Sequence, residues 1–188
     1  MRVGIVGSGR LGAPLGRLFA AAGHDVLFSD ARPALAEEAA AAAEGQPGVG
    51  SPIEAAHFGE VVVMAVWWEA FPTVVEELGA ALGGKIVIDP SNPITRRDGA
   101  EAVVAVPDGL TSPQYQQHVL GREVRLVRTF NTKYPNELLD LGTAGQRGGP
   151  RADMPYWGDD EAAKKAVVPL IEDAGFTAID GGGLADAL

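Results

Sequence analysis

A doubly wound α/β fold, with helices on both faces of a mainly parallel sheet, is what this sequence predicts. Three observations carry it. The run Gly7-Ser8-Gly9-Arg10-Leu11-Gly12 lies between an apolar stretch, Val3-Gly4-Ile5-Val6, and a segment with helical spacing. Short apolar runs then alternate with helix-length segments through the first half of the chain, the pattern of β-α-β units. Residues 60–66 contain the continuous apolar run Val61-Val62-Val63-Met64-Ala65-Val66, of the kind buried on both faces of a sheet.

Residues 2–6 read as a buried strand. Leu11, Leu15, Leu18 and Phe19 recur at helical spacing up to a stop at Gly23, and Pro14 lies early in that helix, where a missing donor costs little. Residues 25–29 form a second strand ending at Asp30. Pro33 opens an alanine-rich helix to about Ala43, since alanine is the best helix former. Residues 45–50 are a loop with a short third strand, and His57 closes a short helix. Strand 60–66 is succeeded by a helix to Leu82 and a strand over 85–89. Residues 94–111 read as an excursion with an extended piece at Val103-Val104-Ala105-Val106. A helix over 112–120 leads into a strand over 124–130. Residues 142–152, rich in glycine and charge, read as a mobile loop. A short strand at Met154-Pro155-Tyr156-Trp157, a helix over 159–174 and a strand over 176–180 complete the chain. The expected architecture is three α/β/α layers with extra C-terminal strands, in one Rossmann-like domain over residues 1–188.

Composition bounds the partners. The chain has 188 residues and a formal net charge of −10, which argues against nucleic acid or an anionic membrane as the main partner. It has no cysteine, so disulfides, thiol catalysis and cysteine-bound metal are excluded. No His/Asp/Glu spacing fits a metal site. No apolar run reaches the roughly 20 residues of a membrane span. The first residues enter a strand at once, so a cytoplasmic protein acting on a small molecule is the expectation.

The glycine run has the context of a dinucleotide site. Gly7 permits the tight strand-to-helix turn, Gly9 lets a pyrophosphate approach the backbone, and Gly12 allows close packing of the helix. The first-turn N–H groups and the positive end of the helix dipole then face the phosphates. Asp30 lies 18 positions beyond Gly12. It has two readings: acceptor for the ribose 2′-OH of NAD, or cap of the helix starting near Pro33. Arg32 could reach a 2′-phosphate or stack on adenine. Arg10 lies either near the pyrophosphate or in solvent.

Ligands of such sheets bind beyond the C-terminal strand ends. Three of these ends carry distinctive residues. Trp67 and Trp68 offer flat surfaces to a ribose or a second ring, or else pack internally. Asn92, flanked by Pro90 and Pro93, can bond a carboxamide or ribose, or serve only as a turn residue. Asn131 and Thr132 can bond a carbonyl or a planar hydride acceptor, or only satisfy the strand end. Lys133 and Tyr134 are the proton donors in such a location, with a solvated lysine as the competing reading. His24 reads as a surface turn residue, and His57 and His118 lie away from the strand ends.

The glycine run, Trp68-Glu69, Asp89-Pro90-Ser91-Asn92-Pro93-Ile94, Phe130-Asn131-Thr132, Trp157-Gly158-Asp159-Asp160 and the segment from Ala178 to Ala185 resemble the deazaflavin-coenzyme-dependent NADP oxidoreductases. They also resemble the related dinucleotide-binding reductases, including the cytosolic domain of six-transmembrane ferric reductases. The resemblance implies a Rossmann-like domain, a homodimer, and hydride transfer between NAD(P)(H) and a flavin or deazaflavin stacked on the nicotinamide. Such transfer needs proximity more than a general acid. It assigns Ser8 to Gly12 to the pyrophosphate and Ala65, Val66 and Trp67 to the dinucleotide. Asn92, with Pro93, and Asn131 fall in the nicotinamide region. NADP-using members carry Ser-Arg or Arg-Arg where this chain has Asp30-Ala31-Arg32, so the residues favour NAD and the resemblance NADP. Those members also continue past the final strand, so a second-cofactor site built there is expected to be missing or supplied by a partner subunit. The expected function is an NAD(P)-dependent oxidoreductase using a flavin, deazaflavin, carbonyl or imine partner, with Asn131 and Lys133 as catalytic candidates. The competing readings are a non-catalytic dinucleotide-binding sensor or partner subunit, and a hydroxyacid-type dehydrogenase with Lys133 as acid.

Overall fold

Strands whose residues are apolar at every position can only be buried on both faces, and the centre of this molecule is built around them. In the computed structural model, which describes residues 1–97, 100–107 and 109–187, β4 (Val61–Met64) and β5 (Ile86–Asp89) are buried at every position. They pair in parallel with each other, and β4 also pairs with β1 (Arg2–Val6). On the far side of β1 lie β2 (Asp25–Ser29) and the two-residue β3 (Gly48–Val49). Beyond β5 come β8 (Arg125–Thr129), β9 (Asp153–Trp157) and β10 (Thr177–Asp180). The sheet order is β10-β9-β8-β5-β4-β1-β2-β3, with β9 antiparallel to β8 and every other pairing parallel. The expected doubly wound α/β sheet with extra C-terminal strands is borne out.

Alternation along the strands divides the core into two layers. Val61 and Val63 join one cluster with Leu15, Phe19 and Phe176, whereas Val62 and Met64 join another with Ala55, Phe71 and Leu82. The first lies under α1 (Gly12–Ala21), α2 (Pro33–Ala41) and α7 (Glu161–Asp173). The second lies under α3 (Pro52–Phe58), α4 (Phe71–Leu78) and α5 (Ser112–Leu120). Ser51 and Thr111 begin α3 and α5 with reciprocal capping boxes to Glu54 and Gln114.

Two segments differ from the sequence reading. Within residues 94–111, β6 (Ile94–Arg97) and β7 (Ala100–Val103) pair as an antiparallel hairpin, so the extended piece begins before Val103. Residues 98, 99 and 108 of that excursion lie outside the described residues. The larger difference is α6 (Pro135–Gln146), which occupies the start of the expected loop over 142–152. Its glycines are packing residues. Gly142 and Gly145 are buried on one helix face, and a Cβ at Gly145 would overlap the Gly175 carbonyl. Gln146 Nε2 fixes the helix end by donating to the Leu18 and Asp173 carbonyls at 2.8 and 2.7 Å.

His24 also differs from expectation. It is half-buried, with Nε2 3.1 Å from Asp173 Oδ2, and so ties the start of β2 to the end of α7. Burial lowers its proton affinity, helped by the N-terminal amino group and opposed by Asp173.

This packing makes α6 and His24 testable. Gly145→Ala is expected to destabilise the fold by about 1–3 kcal/mol in urea denaturation, because α6 must move off Gly175. His24, with a folded pKa below its ordinary value, contributes stability above about pH 6.5 that is lost as pH falls. His24→Gln is therefore expected to flatten the stability profile of the wild type between about pH 7.5 and 5, read from the same denaturation curves.

Candidate functional site

Parallel strands open their C-terminal ends on one edge, and here β2, β1, β4, β5 and β8 are consecutive neighbours in the sheet. The order of connection reverses between β1 and β4, which makes a crevice at that edge. The glycine run, Asp30, Ala65–Trp68, Asn92–Pro93 and Asn131–Lys133 all lie just beyond the ends of these five strands.

The turn after β1 is pressed against Ala65. Gly7 has a φ of 93° and donates its N–H to the Ser29 carbonyl at 2.9 Å. A Cβ at Gly7 would lie 2.5 Å from the Ala65 carbonyl oxygen, and one at Gly12 would overlap the Gly7 carbonyl. Gly9 is the opposite case: nothing stands within 4 Å of where its Cβ would be. Next to that open face α1 begins at Leu11 with no side-chain cap, and Pro14 has no N–H to offer. The Leu11 side chain packs on the core. Arg10 is exposed on the loop.

Ser8 is engaged within the turn. Its hydroxyl is buried and donates to the Ser29 carbonyl at 2.9 Å, and its N–H donates to Asp30 Oδ2 at 2.8 Å. Both donors hold the turn. Asp30 Oδ1 accepts the Arg32 N–H at 2.9 Å. That bond is a turn bond at the approach to α2, whose cap position, Arg32, makes no side-chain capping bond. Each carboxylate oxygen thus holds a backbone donor and has a second lone pair to accept another. The Arg32 side chain is 78% exposed, with Nε 3.9 Å from Asp30 Oδ1.

The two tryptophans separate. Trp67 is half-exposed at the strand end, while Trp68 is buried with its ring 5.6 Å from that of Tyr115 on α5. Trp68 thus packs internally. The Thr132 hydroxyl lies 3.8 Å from Met154 Sδ, directed at β9. Pro93 gives its carbonyl to the Val104 N–H at 2.7 Å, and Val66 packs on the second core layer. Lys133 is half-buried and Tyr134 is 73% exposed.

The sequence reading missed the interaction that organises the far half of the edge. Asp89 ends β5, Arg128 lies opposite it on β8, and both are wholly buried. Arg128 Nη1 donates to Asp89 Oδ2 at 3.0 Å, and Nη2 donates to Asn92 Oδ1 at 2.8 Å. Asp89 Oδ1 accepts the Ser91 N–H, and Gln116 on α5 donates to the Ser91 hydroxyl. Asn92 Nδ2 donates to the Asn131 carbonyl at 3.0 Å, and Asn131 Nδ2 donates to Asn92 Oδ1 at 3.4 Å. Burial pushes the Asp89 carboxyl up against the pull of Arg128, and lowers the Arg128 guanidinium against the pull of Asp89. The signal was available: a charge inside each of two buried neighbouring strands must find its opposite.

Phe130 turns the chain out of this network. It has a φ of 64°, the one positive value for a non-glycine residue among the described residues. Such a backbone costs roughly 1–3 kcal/mol and persists only when its surroundings fix it. Here the ring is buried between Phe19 and Phe176, at centroid distances of 5.9 and 6.1 Å.

Among the described residues no group of three or more His, Asp or Glu side chains is placed to hold a metal ion. No helix among them is long and apolar enough to cross a membrane.

Comparison with known proteins relates part of this edge to a family. The model of the family described as NADP oxidoreductase coenzyme F420-dependent matches residues 2–93. This agrees with the resemblance read from the sequence. A hypothetical protein from Sinorhizobium meliloti is similar over 99% of this chain and 86% of its own, at 24% identity and a TM-score of 0.82. A proposed F420-dependent NADP-reductase from Arthrobacter sp. FB24 matches over 97% and 85%, at 22% identity and a TM-score of 0.77. An imine reductase from Pseudomonas sp. shares the fold over 99% of this chain, at 19% identity and a TM-score of 0.70, and this chain spans 57% of its length. The F420-dependent family match takes in the glycine run, Asp30, Ala65–Trp68, Asn92 and Pro93, and ends before Arg128 and Asn131.

Arg128→Met leaves the Asp89 charge buried without its partner. The expected loss is about 3–5 kcal/mol in urea denaturation. Adding Asp89→Leu to it is expected to restore most of that stability.

Proposed function

We propose that the crevice binds a nicotinamide dinucleotide and that the protein is an NAD(P)-dependent oxidoreductase. The observation that carries this reading is the open face at Gly9 beside the uncapped start of α1. A backbone with no Cβ to obstruct it, at the positive end of a ten-residue helix, fits a pyrophosphate. The residues present fit the rest of the group. Asp30 is held by two backbone N–H groups and keeps acceptor capacity for a ribose hydroxyl. Asn92 and Asn131 lie two and three strand spacings from β1, the farther at about 14 Å, on the same edge. The family match and the fold neighbours, which include an imine reductase in complex with NAD+ and a pyrroline carboxylate reductase with NADP bound, support the same reading.

When bound, the nicotinamide supplies or takes up a hydride. The protein's part in that chemistry is to position the ring, to exclude water from the strand ends and to leave one ring face open to a planar acceptor. Trp67, half-exposed at the end of β4, offers a surface for a second ring. Lys133 is the half-buried proton donor beside Asn131 when the acceptor is a carbonyl or imine. A flavin or deazaflavin acceptor needs no such donor.

Asp30 favours NAD, because a fixed carboxylate repels a 2′-phosphate. Asp30→Asn removes the charge and keeps one oxygen, for one of the two backbone bonds. NADPH binding, monitored by nicotinamide fluorescence, is expected to tighten about tenfold relative to NADH. An unchanged ratio removes Asp30 from the ribose site. Oxidation of the nicotinamide absorbance band by a flavin or deazaflavin acceptor supports the enzyme, and binding without oxidation by any acceptor of these classes or by imines contradicts it.

A further inference from the structure

We infer that the buried Asp89–Arg128 pair sets the hydrogen-bond polarity of the ligand site, leaving Asn131 Oδ1 as an acceptor that selects a primary carboxamide. The inference rests on the dinucleotide reading and assigns the group that anchors its nicotinamide end.

A carboxylate only accepts, and a guanidinium only donates. Asp89 therefore orients Arg128, and Arg128 Nη2 admits only an oxygen at 2.8 Å, which fixes the Asn92 amide with Oδ1 inward. The outward Nδ2 of Asn92 then donates to the Asn131 carbonyl. Asn92 Oδ1 also accepts from the Asn131 side chain, so the nitrogen of Asn131 must face Asn92. An amide is normally free to exchange its oxygen and nitrogen by a flip, but each flip along this series would set two like groups against each other.

Three atoms are left over. Asn131 Oδ1 is buried and has no hydrogen-bond partner, as are Gln116 Oε1 and Arg128 Nε among the described residues. All three belong to this network, and Asn131 is the member on the loop beyond β8. A buried unpaired acceptor costs free energy that a ligand donor recovers. The strained backbone at Phe130 holds Asn131 in place. The group that fits is an N–H donor on a planar ring substituent, as in a nicotinamide carboxamide.

The test compares three probes on the whole protein by calorimetry. ADP-ribose reads the glycine turn alone. NAD+ adds the carboxamide. The 3-acetylpyridine analogue of NAD+ keeps the carbonyl and replaces the amide nitrogen by a methyl group. The expected result is NAD+ binding about tenfold tighter than the analogue. Asn92→Leu, which removes the oxygen that orients Asn131, is expected to bring that ratio close to one with ADP-ribose affinity unchanged. Equal binding of NAD+ and the analogue by the wild type overturns the inference and leaves the dinucleotide reading standing. So does an undiminished ratio in Asn92→Leu. Failure of both ADP-ribose and NAD+ to bind overturns the dinucleotide reading and the inference together.

Discussion

An arginine and an aspartate with no access to water face each other across the two strands β5 and β8. Their charges cannot be there without each other, because burying either alone costs several kcal/mol. The pair fixes the adjacent ends of these strands. It orients Asn92 on one side, while Ser91 and Gln116 tie it to α5 on the other. The chain leaving β8, including the strained Phe130 and Asn131, is arranged around it. A purely apolar contact would hold the strands together as well. It would not tell an amide which way to face.

The near half of the crevice is held by a different means. There the backbone itself is the packing material. Gly7 and Gly12 bring the turn against Ala65, and Ser8 and Asp30 lock the ends of β1 and β2 together through hydrogen bonds with the main chain. The crevice therefore has a rigid floor made of main chain and a polar far wall made of oriented side chains. Gly9 is the place on that floor where nothing fills the space.

The fold was legible wherever local periodicity and tertiary burial agree. The apolar runs of β4 and β5 and the spacing of α1 announced themselves. The roles of Gly7 and Gly12 were readable from their context. α6 was hidden because Gly142 and Gly145 weaken helix propensity, and only the approach of Gly175 explains why Gly145 is there. Trp67 and Trp68 are adjacent in sequence and opposite in environment, which depends on α5 bringing Tyr115 to one of them. The motif position of Ser8 suggests a phosphate ligand, and the service of its donors to Ser29 and Asp30 appeared only in the fold. The Asp89–Arg128 pair was written in the sequence but separated by 39 residues, so its meaning appeared only when β5 and β8 became neighbours.

The open face at Gly9 is where a pyrophosphate must sit if the crevice holds a dinucleotide. Gly9→Ala tests this directly, because its Cβ enters a space with no other atom within 4 Å. Calorimetric titration with ADP-ribose, alongside a melting curve, is the measurement. The expected result is an unchanged melting temperature and at least a roughly tenfold loss of affinity. An affinity equal to that of the wild type would contradict it.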